Sequence, residues 1–197
     1  MAVVCVVGSK ESGKTRVAEA LIGALVRRGL KVSALKKSQS AASLDPAAKD
    51  SARLKAAGAA LSCFAGPQGS FLFSDPVDPD ALIALLEVLS DVVVVEGYRD
   101  GPHPKVAVDD GDYKGVLARV RAGGEGWEKA VEAAAEKVVK MKRKTAAFFA
   151  DTRVVPLNPF TRAVSVNLVR GLAVALRDAQ GEVVAIVTRS EGGSESE

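Results

Sequence analysis

A glycine loop set between two apolar runs restricts this chain more than any other feature. Residues 8–15 read Gly-Ser-Lys-Glu-Ser-Gly-Lys-Thr. Val3 to Val7 precede it, a continuous and mostly β-branched run of the kind found in a strand buried on both faces. After it, Val17, Leu21 and Leu25 recur at helical spacing. They predict a helix from about Thr15 to Arg28, which Gly29 stops in the left-handed conformation. Strand, glycine loop and helix form the setting in which Gly-x-x-x-x-Gly-Lys-Thr holds phosphate. Glycines let the backbone bend round an anion, and successive N–H groups then point inward as a nest. The helix start adds a positive end, contributing about 0.3–1 kcal/mol toward an exposed anion. In such loops the lysine spans the β and γ phosphates and the threonine hydroxyl ligates magnesium. The candidate phosphate-binding residues are Gly8, Ser9, Lys10, Glu11, Ser12, Gly13, Lys14, Thr15 and Arg16. Arg16 leaves the loop on the helix, with the α-phosphate or solvent as its alternatives.

The rest of the chain alternates in the same manner. Lys31 to Leu35 reads as a second strand, and residues 36–50 as a polar loop without period. Asp50 is placed to cap a short helix ending at Gly58, and Ala60 to Phe64 read as a third strand. Asp78-Pro79 is an N-cap followed by proline at the first helical position. The helix it opens is expected to bury Leu82, Leu85, Leu86 and Leu89. Asp-Val-Val-Val-Val-Glu at 91–96 is the most strongly buried strand. A loop from Gly97 to Pro104 follows, then strands at Lys105–Val108 and Val116–Val120. Trp127 to Lys144 reads as a long amphipathic helix, with Trp127, Val131, Ala134, Val138 and Met141 on one face. Alternating strands and helices predict a parallel sheet with helices on both sides. The expected fold is therefore α/β, a three-layer phosphate-loop NTPase fold over residues 1–144. A small C-terminal α+β extension is expected at 145–189. It comprises a hairpin at Ala146–Leu157 turning at Asp151-Thr152, a helix capped by Asn158-Pro159 running to about Asp178, and a strand at Glu182–Thr188. Residues 190–197, rich in Ser, Glu and Gly, are expected to be a disordered tail.

Composition narrows the partners. A chain of 197 residues can bury a core without staples. Its 48% apolar but only 5% aromatic content means that Val, Ala and Leu must build that core. Basic and acidic residues number 27 and 24, which gives no general electrostatic case for nucleic acid or a membrane surface. Cys5 and Cys63 lie in apolar runs at no metal-ligand spacing. Read as two buried thiols, they suit a reducing, cytoplasmic interior. Met1 to Cys5 carry no basic leader, and that apolar run is too short to span a bilayer.

A cation on the phosphates needs a carboxylate. Glu96 ends the valine strand before Gly97, where phosphate-loop proteins place their second acidic motif. A strand-end carboxylate in solvent is the alternative. Asp45 and Asp50 are further candidates, each equally suited to a helix cap or a turn. The candidate metal set is Thr15, Asp45 and Glu96, and the candidate catalytic pair is Lys14 and Glu96. His103, fenced by prolines, is expected in a surface loop, with no dyad partner near it in sequence. The four basic residues within Lys140–Lys144 suit a helix C-terminus. No Asn-Lys-x-Asp segment is present to read guanine, and Thr188-Arg-Ser-Glu191 imitates it only distantly. The residues alone leave the base open.

Several blocks occur together and in order: VVGSKESGKT at 6–15, ALKK at 34–37, Asp45, KDSARLKAAGA at 49–59 and DVVVVEGYRDGPHPKV at 91–106. In this the chain resembles the molybdopterin-guanine dinucleotide biosynthesis protein B (MobB) family over roughly residues 2–120. The resemblance implies a GTP-binding protein with weak GTPase activity, a homodimer, and magnesium (Mg2+) as the metal. It implies an adapter beside the guanylyltransferase that joins GMP to molybdopterin, at the last stage of molybdenum cofactor maturation. By the same resemblance Gly8 to Thr15 hold the phosphates, Asp45 and Glu96 face magnesium, and Lys105 borders the site near the end of the next strand. Two departures stand out. Lys36-Lys37 replaces the family's Lys-His, and residues 145–197 extend beyond the usual end.

Three classes follow from these residues. The first is a nucleotide-binding adapter with slow hydrolysis, because no strong base or cis arginine is evident. The second is a small-molecule kinase or ligase using ATP, with residues 36–50 and 97–104 forming its acceptor pocket. The third is an interaction module in which the nucleotide is structural.

Overall fold

The computed structural model describes residues 2–38, 53–54, 56–59, 61–67, 69–74, 77–141, 148–150, 153–155 and 157–175. Five parallel strands form the central sheet: β1 (Ala2–Val7), β2 (Val32–Lys36), β5 (Val92–Glu96), β6 (Lys105–Ala107) and β7 (Val116–Arg119). Their order is β2-β5-β1-β6-β7. Two hairpins stand apart from this sheet. The first pairs β3 (Leu61–Gly66) with β4 (Gly69–Ser74), and the second pairs β8 (Phe148–Ala150) with β9 (Arg153–Val155). Among the described residues helices α1 (Lys14–Val26), α2 (Pro79–Leu89), α3 (Trp127–Val139) and α4 (Pro159–Ala175) accompany them.

Side chains alternate across a strand, so a strand covered on both faces must be apolar throughout. Every residue of β1 is buried. Val4 and Val6, with Val92 and Val94, face a core built with α1 and α3. Val3, Cys5 and Val7, with Val93 and Val95, face the opposite core, which Ile83 of α2 enters. The sheet is thus the middle of three layers, as expected.

Helix α1 buries Val17, Leu21 and Leu25 completely. Gly29 closes it at φ +77, and Leu30 N–H returns to Leu25 O at 3.3 Å. In α3 the expected face is buried at Val131, Ala134 and Val138, with Trp127 and Met141 packed against the same core. Asp78 caps α2, its Oδ1 accepting from Asp80 N–H at 3.0 Å. Asn158 Oδ1 likewise accepts from Thr161 N–H at 2.8 Å in the first turn of α4.

Three expectations need correction. The strand near residues 60–64 is β3, which pairs antiparallel with β4 rather than joining the parallel sheet. In α2 the face toward the sheet carries Ala81, Ile83 and Ala84, while Leu85 and Leu89 are each 48% exposed. The helix is apolar nearly all round, so its period did not select a face. The small residues let it lie close to the sheet; Leu86 still packs against the core, while Leu85 and Leu89 turn outward. Cys63 is exposed, so only Cys5 is the buried thiol. Asp45, Asp50, the turn at Asp151-Thr152, the strand at 182–188 and the tail lie outside the described residues. Among the described residues no helix is long and apolar enough to cross a membrane.

Leu21→Ala should destabilise the fold by about 2–5 kcal/mol, the range for emptying a packed leucine site. Leu85→Ala should cost far less; urea unfolding of the two variants tests which leucine is core. Thiol labelling gives a second check. Burial raises Cys5 to about 11, against a smaller opposite pull from the Lys105 ammonium. Native protein should react with a thiol reagent at Cys63 alone, and Cys5 should react only on unfolding.

Candidate phosphate-binding site

Parallel pairing sets Glu96 level with Val6, one residue before β1 ends. The loop from Gly8 therefore leaves the sheet beside this carboxylate. Gly8 has no room for a side chain, since a Cβ there would lie 2.4 Å from Val108 Cγ2 and 2.6 Å from Ser12 Oγ. Gly13 precedes α1 at φ +84, and its Cβ would come within 2.8 Å of the Ala122 Cβ. No side chain caps α1, and its first turn carries no acidic residue. The N–H groups and positive end of the helix are left facing the loop's interior, the arrangement that favours an anion. Glu11 sits at φ +63, a conformation uncommon outside glycine.

Within the loop, Lys14 Nζ and Ser12 Oγ both donate to Ser9 O, the second at 2.8 Å. Thr15 Oγ1 donates to Glu96 Oε1 at 3.0 Å. An open cleft of about 500 Å³ lies over these groups, lined by Lys10, Glu11, Gly13, Lys14, Thr15, Arg16 and Glu96. All seven belong to the sequence-derived set. Gly8, Ser9 and Ser12, also in that set, are not in the lining. Asp45, the remaining candidate, lies outside the described residues. Arg16 projects along the helix, with its Cζ 4.8 Å from the Trp127 ring centroid at the start of α3.

Other candidates fall elsewhere. Lys105 opens β6 rather than lying near its end, and it is 2% exposed. Its Nζ donates to Gly101 O at 2.8 Å and His103 O at 2.9 Å, so it ties down the loop after β5. His103 is half-buried against α2, with Nε2 3.1 Å from Asp80 Oδ1. The prolines do not keep it on the surface, because the loop folds back onto the helix start. Lys37 Nζ rests 5.7 Å from the centroid of the Tyr98 ring.

Two residues of the site were not anticipated. Lys36 Nζ lies 3.2 Å from Glu96 Oε1, the same oxygen that accepts from Thr15. Asp109, just past β6, accepts the Ser9 N–H through Oδ2 at 2.7 Å. The available signal was position: Asp109 follows a strand that becomes the neighbour of β1, but only the strand order reveals this adjacency.

Fold and site together define a phosphate-loop NTPase-like α/β protein. The family model described as Molybdopterin guanine dinucleotide synthesis protein B matches residues 3–118, and the chain belongs to that family. A Haemophilus influenzae protein named molybdopterin-guanine dinucleotide biosynthesis adapter protein is 33% identical over 105 residues, 51% of this chain and 59% of its own length. A Methanocaldococcus jannaschii relative is 29% identical over 101 residues, 51% of this chain and 42% of its own length. The chain thus spans about half the length of these curated relatives. A crystal structure of molybdopterin-guanine biosynthesis protein B shares the fold, with a TM-score of 0.50 at 24% identity over 70% of this chain and 96% of that one.

Asp109 supplies a pH test of this loop. The Ser9 N–H holds its carboxyl down to about 2, with Gly111 N–H and Tyr113 assisting against the raising effect of burial. A depressed carboxyl contributes stability above its unfolded value, near 3.9, and loses it as pH falls toward the folded value. Wild type should lose urea stability relative to Asp109→Asn only between about pH 4 and pH 2. From pH 5 to 8 the difference between the two should be constant.

Proposed function

We propose that the chain is a GTP-binding adapter with weak GTPase activity in the biosynthesis of molybdopterin guanine dinucleotide. The observation that carries this reading is the contact of Thr15 with Glu96 at the mouth of the glycine loop, 3.0 Å apart. The loop amides, the start of α1 and Lys14 offer a triphosphate its positive surface. Thr15 and Glu96 offer a hard cation its oxygens, and Glu96 already accepts a cation in the Lys36 ammonium. That supports magnesium as the metal, held by Thr15 and Glu96, with Asp45 carried only by the family resemblance. Bound there, magnesium would neutralise charge on the β and γ phosphates. Guanine as the base follows from the family rather than from a base-reading segment.

Slow turnover fits the lining of the cleft. None of its residues is a strong neutral-pH base, and Arg16, though it lines the cleft, holds its guanidinium over the Trp127 ring. A phosphate-loop site lacking these groups hydrolyses slowly until a partner completes it. The partner in this reading is the enzyme that joins GMP to molybdopterin, and the compartment is the cytoplasm. A homodimer is supported by the apolar stripe of α4, where Phe160, Val164 and Leu168 are 77%, 50% and 65% exposed. Sedimentation at micromolar concentration tests that assembly.

Thermal denaturation with magnesium and GTP, GDP or ATP tests the nucleotide. GTP at a hundredfold excess over its dissociation constant should stabilise the protein by about 2.7 kcal/mol. ATP should do so only at much higher concentration. Lys14→Ala should fold and lose the GTP shift. A GTP shift unchanged by that substitution would place the nucleotide elsewhere.

A further inference from the structure

A second carboxylate stands behind the phosphate loop, outside its cleft. Asp109 Oδ2 accepts the Ser9 N–H at 2.7 Å. Asp109 Oδ1 accepts from Gly111 N–H at 3.1 Å and from the Tyr113 hydroxyl at 3.0 Å. Its carbonyl accepts from Arg119 Nη1 at 2.5 Å, and Arg119 Nη2 reaches Gly111 O at 3.2 Å. Five hydrogen bonds thus join the loop after β6 to itself, to β7 and to Ser9. Asp109 is absent from the cleft lining, so it meets the site through Ser9, at its backbone N–H and its side chain.

Ser9 is the point of transfer. Its N–H is committed to Asp109, while its carbonyl is the seat of Lys14 Nζ and Ser12 Oγ. Holding the Ser9 N–H orients the peptide unit before Ser9 and so narrows where its carbonyl can point, because only φ and ψ of that one residue lie between the two groups. We propose that Asp109 is the positioning residue of Lys14: by anchoring Ser9 it fixes the carbonyl on which the Lys14 ammonium rests before any anion arrives. The use of this ammonium on a triphosphate rests on the nucleotide reading above.

The chemistry suits the task. An ionised acceptor makes a shorter and stronger bond to an N–H than a neutral one. It also draws the Ser9 N–H away from the cleft, which leaves the anion nest to the later amides of the loop. A side chain placed in advance spares the ligand the ordering of that group on binding. Lys14 spans the β and γ phosphates in loops of this pattern, so its misplacement should weaken a triphosphate more than a diphosphate.

The test measures the acylation rate of Lys14 by mass spectrometry in nucleotide-free protein, and separately the affinities for GTP and GDP. In Asp109→Ala, with circular dichroism and melting showing a folded chain, Lys14 should acylate several-fold faster. GTP affinity should fall roughly tenfold, the scale set by ordering one residue, and GDP affinity should fall less. Tyr113→Phe, which removes only one donor to Asp109, should shift both readouts the same way by a smaller factor. It serves where the alanine variant does not fold. Lys14 acylation and a GTP-to-GDP affinity ratio equal to wild type in folded variants would overturn the assignment. Faster acylation in a protein whose wild type ignores GTP would uphold the positioning and overturn the nucleotide reading alone.

Discussion

The pairing of β1 between β5 and β6 is the constraint from which the site follows. Both pairings are parallel, so the three strands end at the same edge of the sheet. β1 delivers the glycine loop there, β5 delivers Glu96, and β6 delivers Asp109. A shift of one residue in either register would turn the valines of that strand to the wrong face. Burial of both faces therefore fixes the register, and the register in turn fixes which carboxylate meets which part of the loop.

The two carboxylates divide the work by distance from the cleft. Glu96 is in the lining and shares one oxygen between the Thr15 hydroxyl and the Lys36 ammonium. Asp109 is outside the lining and holds Ser9. The glycine at position 8 belongs to the same scheme, since only a residue without Cβ lets the end of β6 approach the loop this closely.

Loop and helices also support one another through residues of the cleft. Arg16 stacks on Trp127, and Gly13 packs against Ala122. The segment between β7 and α3 thereby buttresses the start of α1. On the other side Lys105 gathers the carbonyls of Gly101 and His103, and His103 meets Asp80 at the start of α2. The loop after Glu96 is thus tied to both the sheet and a helix.

Much of this was legible from order and spacing. Val3 to Val7 and Val92 to Val95 announced strands covered on both faces, because only such strands can be apolar at every position. Gly8-x-x-x-x-Gly13-Lys14-Thr15 between strand and helix located the cleft, and Glu96 at a strand end supplied its carboxylate. What lay beyond reach depends on neighbours distant in the chain. Asp109 is a hundred residues from Ser9. Only the strand order brings them together. The exposed leucines of α2 and the separate β3–β4 hairpin were decided the same way. A helix apolar on nearly every side has no intrinsic inner face until packing against the sheet chooses one, and a short strand has no intrinsic partner until another segment pairs with it.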